Sequence, residues 1–331
     1  TPLSYICIDT LKCCIVNEVK TSLYDEFIER ELEDERVIKD FIFICYFLGN
    51  DFLPHIPSID ISCFDKRNIN GLDILMQGYC HTFDNLDDYL ISLDDSIVYN
   101  VLFLQTFLDY LSTFEDSFFK VLYETKKRNY KISSNDAYEI EMHKIENLQF
   151  RIENPINLGK DDADNYKFRY YKEYFSSEYS QNEIVKDACN DYFKGLLWVA
   201  DYYFKKCSSW NWYYLYDHAP FISDLADNFK RINLNKMTFE LGKPLNQMEQ
   251  LACILPPQSS YLAPKELKWY FNNCNSPLSH LYPINYELDL LYKDKYWQAI
   301  PKLPGLDIDL VKRVLKKFSN NNRLEDIIEF N

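Results

Sequence analysis

A chain of 331 residues, of which 17% are aromatic and 26% charged, is long enough for one large or two ordinary domains and has a globular rather than a disordered composition. It has only seven glycines, so glycine-rich phosphate-binding loops are excluded, which argues against dinucleotide enzymes and P-loop ATPases. The net charge of −15 is unusual for a nucleic-acid enzyme, but residues 1–120 hold 22 acids against 8 bases whereas residues 121–331 hold 29 against 28.

Local patterns predict a mainly helical chain. In order, the predicted elements are a short strand running into a helix at 5–16, a buried helix at 36–48, an extended piece at 59–61, helices throughout 70–123, a polar surface excursion or linker at 124–165, helices from 166 to about 204, a loop at 208–224, a helix at 246–255, and an irregular C-terminal part with short helices. Asp9 and Thr10 are the expected N-cap region of the first helix, and residues 94–96 are expected to cap the second helix of 70–123.

Asp51 follows the unbroken apolar run FIFICYFL, which requires burial. A buried helix ending at Gly49 places the Asp51 carboxylate just beyond its C-terminus, where the helix dipole disfavours an anion. A divalent cation is one group that would compensate. The alternative is an ordinary helix stop and a solvated or turn-forming aspartate, with Pro54 and Pro57 preventing another helix.

The second unusual segment is residues 208–223, which place five aromatic side chains within seven positions. The alternation of Trp210 and Trp212 would put both indoles on one face of an extended segment. Such rings can stack on unpaired bases without sequence preference. The alternative is an aromatic core cluster packed against the flanking helices.

The ten cysteines are scattered and include no CxxC pair, which argues against a zinc site and favours reduced, buried thiols in an intracellular protein. The sequence does not distinguish cytoplasm from nucleus. No secretory signal is recognisable, and no apolar run approaches the ~20 residues of a membrane span, so no membrane partner is expected.

Several segments resemble, in the same order, signature elements of the XRN-type 5′→3′ exoribonucleases. They are GNDFLPHIP at 49–57, FRYYK at 168–172, SWNWYYLYDHAPF at 209–221, FELGKPLNQMEQLACIL at 239–255, and the short elements SP at 276–277 and YP at 282–283. The aromatic segment departs from the family pattern at Leu215, where the family has proline, and at Asp217 and His218, so no role is assigned to His218. The resemblance covers nearly the whole chain and matches it to the C-terminal half of the family's catalytic region.

This resemblance implies the end of an α/β FEN/PIN-like nuclease core in residues 1–60, which carries the GNDFLPHIP motif, and an appended helical domain in residues 61–331. It implies processive hydrolysis of 5′-monophosphorylated single-stranded RNA by two-metal catalysis with Mg²⁺, or alternatively Mn²⁺. Asp51 is then a catalytic metal ligand.

The same resemblance suggests the RNA contacts. Trp210 or Trp212 stacks on the leading bases, with no basis for choosing between them, and Arg169 and Lys172 are weaker candidates for contacts to the RNA backbone. The alternative for the two basic residues is simple solvation at the surface.

The expected partner is the N-terminal half of the same protein, because in the family that half supplies all but one of the seven acidic metal ligands and the 5′-phosphate pocket. Only Asp51 can be mapped here, so this chain alone is expected to be inactive. The resemblance gives Asp60 and Asp65 no ligand role, and His55 is expected to make a structural hydrogen bond.

Two alternatives remain open. A catalytically silent helical module would bind RNA or a protein partner without hydrolysis. A flap-endonuclease-like DNA nuclease would account for the glycine-to-aspartate turn, which is similar to a shorter form of the turn in that family, but not for the aromatic loop.

Overall fold

The computed structural model describes residues 5–24, 31–61, 70–126, 134–146, 154–160, 165–175, 181–293 and 296–319. Within these ranges the chain is mainly helical, as predicted, with two small antiparallel hairpins. The elements are α1 (Ile8–Ser22), α2 (Asp34–Ile44), α3 (Gly71–Leu86), β1 (Ile91–Leu93), β2 (Ile97–Tyr99), α4 (Val101–Lys126), α5 (Ala137–Glu146), α6 (Tyr166–Tyr174), α7 (Gln181–Phe204), α8 (Ile222–Phe229), α9 (Gln247–Ile254), α10 (Lys265–Asn272), β3 (Glu287–Asp289), β4 (Ile300–Lys302) and α11 (Ile308–Ser319). None of the described helices is both long and apolar enough to cross a bilayer.

The chain divides into two compact units, and the first comprises residues 1–129 and 155–241. Its core forms where α4 packs against α3 and α8, and where α7 packs against α6 and α8. The apolar run predicted to be buried supplies Phe43 and Ile44 at the end of α2 and Phe47 in the 3₁₀ turn Cys45–Leu48 that follows, all with no exposed surface. This unit includes residues on both sides of position 60, and the assignment of 1–60 to a FEN/PIN-like core stays a prediction.

The second unit comprises residues 130–154 and 242–331. Its core lies between α9, α10 and α11, around Leu267, Val311 and Leu315. Helix α9 begins with a capping box, in which the Asn246 side chain accepts from the Glu249 backbone N–H and the Glu249 carboxylate accepts from that of Asn246. The predicted helix at 246–255 is therefore confirmed, with its end just before the two prolines.

The predictions for the first helix and for residues 70–123 were partly wrong. Residues 5–7 form no strand, and α1 begins after Cys7 without a side-chain cap, so Asp9 and Thr10 lie inside the helix. A β-hairpin interrupts the predicted helical stretch, and residues 94–96 form its turn. The side chain of Asn100 instead accepts from the Phe103 backbone N–H at the start of α4 (3.0 Å).

The hairpin is fixed by a buried carboxylate 50 residues away in sequence. Asp40 on α2 has no exposed surface and accepts hydrogen bonds from the backbone N–H groups of Leu90 (2.8 Å) and Ile91 (2.9 Å) and from the Tyr79 hydroxyl (3.0 Å). Burial raises the pKa of Asp40 to about 7, against the opposing effect of these donors. This tertiary contact positions β1 against α2, and the local sequence of residues 90–99 does not reveal it.

The predicted polar excursion at 124–165 contains two different segments. Helix α5 is largely exposed, as Tyr138 illustrates. Residues 154–160 instead bury Ile156 and Leu158, and Gly159 lies directly against the backbone of α4. Part of this region is therefore packed into the first unit.

The prediction of buried thiols holds for some cysteines only. Cys80 and Cys189 are buried, and burial raises the pKa of the Cys80 thiol to about 11. Cys7, Cys13 and Cys14 on and before α1 are exposed.

Candidate nucleic-acid interface

The loop at 49–57 begins at Gly49, whose backbone conformation is one that favours glycine. Gly49 has φ 86°, and an added Cβ would lie 2.7 Å from the backbone nitrogen of His55. The backbone N–H of Ile56 donates to the carbonyl of Phe47 (3.1 Å), which ties the far side of the loop back to the 3₁₀ turn. The predicted stop at Gly49 is confirmed, and the chain doubles back on itself immediately after it.

Asp51 lies at the apex of this loop. The side-chain oxygen of Asn50 accepts hydrogen bonds from the backbone N–H groups of Phe52 (2.9 Å) and Leu53 (3.0 Å), and the Asn50 N–H donates to the Leu53 carbonyl (2.9 Å). These bonds close a turn around Asp51 and leave its side chain exposed. The aspartate is therefore held on a defined backbone with its carboxylate available to a ligand.

The residues after Asp51 anchor the loop on helix α7. The ring of Phe52 lies 4.8 Å from that of Trp198 and 5.1 Å from that of Tyr202, with edge-to-face geometry in both pairs. Trp198 and Tyr202 are one helical turn apart, and their own rings are stacked at 5.4 Å with an interplanar angle of 8°. Phe52 thus packs against a preformed aromatic surface.

Gly195 is the point where this loop meets the second sequence motif. A Cβ at position 195 would lie 2.5 Å from a methyl carbon of Leu53 and 2.9 Å from the indole carbon Cη2 of Trp212. One turn earlier, the Tyr192 hydroxyl donates to the carbonyl of Pro54 (3.1 Å). The two motifs, some 160 residues apart in sequence, therefore approach each other over a single glycine of α7.

The two tryptophans of the aromatic loop have different environments. Trp212 is half-buried, with its ring 5.7 Å from that of Trp198 and 6.2 Å from that of Phe239. Trp210 is 51% exposed, and its backbone N–H donates to the carbonyl of Leu241 (2.8 Å). The core-cluster interpretation therefore describes Trp212, whereas Trp210 offers an open ring surface.

The remainder of the aromatic loop is held from two helices. The Asp191 carboxylate on α7 accepts from the Leu215 backbone N–H (3.0 Å), and burial raises its pKa. The Tyr170 hydroxyl on α6 donates to the carbonyl of Ala219 (2.7 Å). The loop is thus fixed by specific contacts, which is the condition for presenting an aromatic ring at a defined position.

Comparison with known proteins identifies the family of this chain. A protein-family model described as the Xrn1 helical domain matches residues 31–165 and 151–326. The chain belongs to the Xrn1 helical domain family. The resemblance seen in the sequence is confirmed, and it extends over nearly all of the chain.

Curated relatives of this Xrn1-type helical domain have names that state an activity. The chain is 26% identical to 5'-3' exoribonuclease 2 of Arabidopsis thaliana and 28% identical to the 5'-3' exoribonuclease 2 homolog of Drosophila melanogaster, covering 86% and 87% of this chain and 35% and 36% of the relatives. It is 28% identical to 5'-3' exoribonuclease 1 of Homo sapiens, over 91% of this chain and 19% of that protein. The chain therefore spans about a third or less of these relatives.

The two basic residues predicted to contact RNA also differ in their environments. On α6 of this Xrn1-type domain, the Arg169 guanidinium donates from Nε to the carbonyl of Ile156 (2.6 Å) and from one terminal nitrogen to the carbonyl of Asn157 (3.4 Å). It thereby holds the 154–160 segment onto α6. Lys172 is exposed. Contact of either residue with an RNA backbone stays a prediction, and Lys172 has the more accessible charge.

The described residues do not by themselves assemble a metal site. In the part of the chain that the structure describes, no three His, Cys, Asp or Glu side chains come together to hold a metal ion. His55 is exposed and Asp60 is half-buried, while Asp65 lies outside the described residues. A single exposed carboxylate at Asp51 does not fit a two-metal centre by itself.

Sequence reasoning missed the residues that bring the motifs together. Trp198 and Gly195 lie in a stretch that was predicted only as part of the helices from 166 to about 204, and no functional role was predicted for either residue. His218, to which no role was assigned, stacks its ring on that of Tyr174 at 3.6 Å. The signal that could have found Gly195 is its position as the sole glycine of a 24-residue helix.

Proposed function

We propose that this chain forms the helical part of a 5′→3′ exoribonuclease that degrades single-stranded RNA with a 5′-monophosphate in a processive manner. The observation that carries the proposal is the meeting of the Asp51 loop and the aromatic loop over Gly195 of α7. A carboxylate that could bind a cation and an indole that could bind a base then lie on one rigid support. Membership of a family whose curated relatives are named as 5'-3' exoribonucleases supports the same activity.

In this proposal Asp51 supplies one ligand to a catalytic Mg²⁺ or Mn²⁺, and the remaining acidic ligands come from the N-terminal half of the same protein. Oxygen ligands are the kind that Mg²⁺ prefers, and exposure of the Asp51 carboxylate leaves it accessible. When bound, such ions would activate water and stabilise the leaving oxygen. The protein would act inside the cell.

The proposed RNA contacts follow from exposure. Trp210 would stack on a leading base, because about half of its surface is open. Trp212 would support it from the core side, since its ring packs against Trp198 and Phe239. Lys172 would contribute charge near the RNA backbone, and Arg169 would act mainly by holding the 154–160 segment.

The test is a substrate comparison with the complete polypeptide that contains this chain. With Mg²⁺ present, we expect release of mononucleotides from 5′-monophosphorylated single-stranded RNA, and little release from the same RNA with a 5′-hydroxyl or from 5′-phosphorylated DNA. Preferential digestion of the DNA would favour a flap-endonuclease-like enzyme. The absence of hydrolysis of any of the three would contradict the proposal.

The alternative proposal is a helical module that binds RNA or a protein without hydrolysis. It requires the exposed ring of Trp210 but not the carboxylate of Asp51. Under this alternative, a Trp210→Leu variant would lose affinity for single-stranded RNA, whereas wild type and Asp51→Ala would bind equally and neither would cleave.

A further inference from the structure

One side chain contacts both motif loops through different atoms. Trp198 is 7% exposed and lies on α7. Its ring faces Phe52 of the Asp51 loop at 4.8 Å and Trp212 of the aromatic loop at 5.7 Å. Its indole Nε1–H donates to the Ser209 carbonyl at the start of the aromatic loop (2.9 Å).

The orientation of this indole is itself fixed. Its ring stacks almost parallel on that of Tyr202, which also touches Phe52 at 5.1 Å. Rotation of the indole would break the stacked pair and leave the buried Ser209 carbonyl without this donor. The orientation of the indole is therefore fixed, and a displacement of this ring would move both the Asp51 loop and the aromatic loop.

We infer that Trp198 is a positioning residue that sets the geometry of the Asp51 carboxylate relative to the exposed Trp210 ring. This inference rests on the proposed function, since it assigns Trp198 to the same reaction. It acts on the carboxylate through Phe52 and on the RNA-binding ring through Ser209. The contact with Phe52 uses the indole ring and the contact with Ser209 uses Nε1–H, so a substitution of Phe52 breaks the first without removing the second.

Removing the hydrogen bond while keeping an aromatic ring at position 198 should affect RNA binding. Trp198→Phe keeps an aromatic ring at the position that faces Phe52, although a smaller one, and removes the donor to the Ser209 carbonyl. We expect the Kd for 5′-monophosphorylated single-stranded RNA to rise about fivefold, the equivalent of one hydrogen bond. The Mg²⁺ concentration for half-maximal cleavage should stay unchanged.

Removing the ring contact between Phe52 and Trp198 should change the Mg²⁺ dependence of cleavage. Phe52→Leu keeps the loop residue apolar and loses the edge-to-face contacts with Trp198 and Tyr202. We expect the half-maximal Mg²⁺ concentration to rise about fivefold or more, with the RNA Kd unchanged. Trp198→Leu, which loses both connections, should raise both quantities.

A matched control separates positioning from general destabilisation. Phe193 lies on the same helix with no exposed surface, but its ring packs against Phe229 of α8. Phe193→Leu should lower the thermal unfolding temperature as much as Trp198→Leu does, without changing either binding quantity. All variants are made in the complete polypeptide, with Kd measured by fluorescence anisotropy in EDTA and cleavage measured in a Mg²⁺ titration.

The outcomes are distinguishable. The split pattern of Trp198→Phe and Phe52→Leu, with no change in Phe193→Leu, would support the inference. If wild type cleaves RNA but Trp198→Leu and Phe193→Leu behave alike, the positioning role is refuted while the proposed function stands. If wild type does not cleave RNA, the proposed function fails and the positioning role fails with it.

Discussion

The substitution Gly195→Ala tests whether the two motif loops meet as the structure shows. Alanine is favoured over glycine in a helix interior by about 1 kcal/mol. The new methyl would overlap Leu53 at 2.5 Å and Trp212 at 2.9 Å, and Leu53 is only 1% exposed. Overpacking of this kind costs about 1–3 kcal/mol, so the net effect should be a loss of about 1 kcal/mol of unfolding free energy.

Urea unfolding followed by tryptophan fluorescence is a suitable assay, because Trp198 and Trp212 adjoin the site. The control is Gly305→Ala, where an added Cβ has no neighbour within 4 Å and the change should be within about 0.5 kcal/mol. Leu53→Val withdraws the overlapping methyl, so the double variant with Gly195→Ala should be less destabilised than the sum of the single changes by about 0.5 kcal/mol or more. Strict additivity, or net stabilisation by Gly195→Ala alone, would refute the contact.

Three further predictions concern the scaffold. The pKa of Asp40 is about 7 in the folded protein and about 3.9 in the unfolded chain, so protonation of Asp40 stabilises the fold fully below about pH 4, and this contribution is lost as pH rises through 7. Asp40→Asn should therefore flatten the dependence of the unfolding free energy on pH between about 4 and 7, and an unchanged slope would contradict this assignment. Glu115 is buried and pairs with Lys167 at 2.9 Å, so Glu115→Ala should cost about 3 kcal/mol in urea unfolding and Glu115→Gln clearly less, whereas equal losses would argue against the ion pair. Gly159 has φ 80° and an added Cβ would lie 2.0 Å from the carbonyl oxygen of Phe119, so Gly159→Ala should lower the unfolding free energy by about 3 kcal/mol or more, and a neutral result would show that this segment does not pack on α4.

Local signals in the sequence predicted the elements that depend on local physics. The apolar run before Gly49 predicted a buried helix and its end, and the helix predicted at 246–255 is α9, which begins with the capping box of Asn246 and Glu249. The aromatic loop could be recognised because its composition is extreme. In each case the determining residues lie within a few positions of the structure that they specify.

The features that sequence reasoning missed depend on distant partners. The β1–β2 hairpin relies on Asp40, a carboxylate on a helix that was predicted only as a buried helix at 36–48. Arg169 resembled a surface cation, yet it binds two backbone carbonyls of a segment that itself looked like a linker. The junction at Gly195 requires two loops some 160 residues apart to converge on one helix, and no local periodicity encodes that.

The most direct measurement of the central claim is the rate of Mg²⁺-dependent mononucleotide release by the complete polypeptide and its Asp51→Ala variant, with Asp95→Ala as control. Both aspartates are exposed in turns, so neither change should affect folding. We expect Asp51→Ala to lower the rate by at least about 100-fold, as loss of a metal-stabilised transition state would, and Asp95→Ala to match wild type. Equal turnover by wild type and Asp51→Ala would contradict the assignment of Asp51 to a catalytic metal.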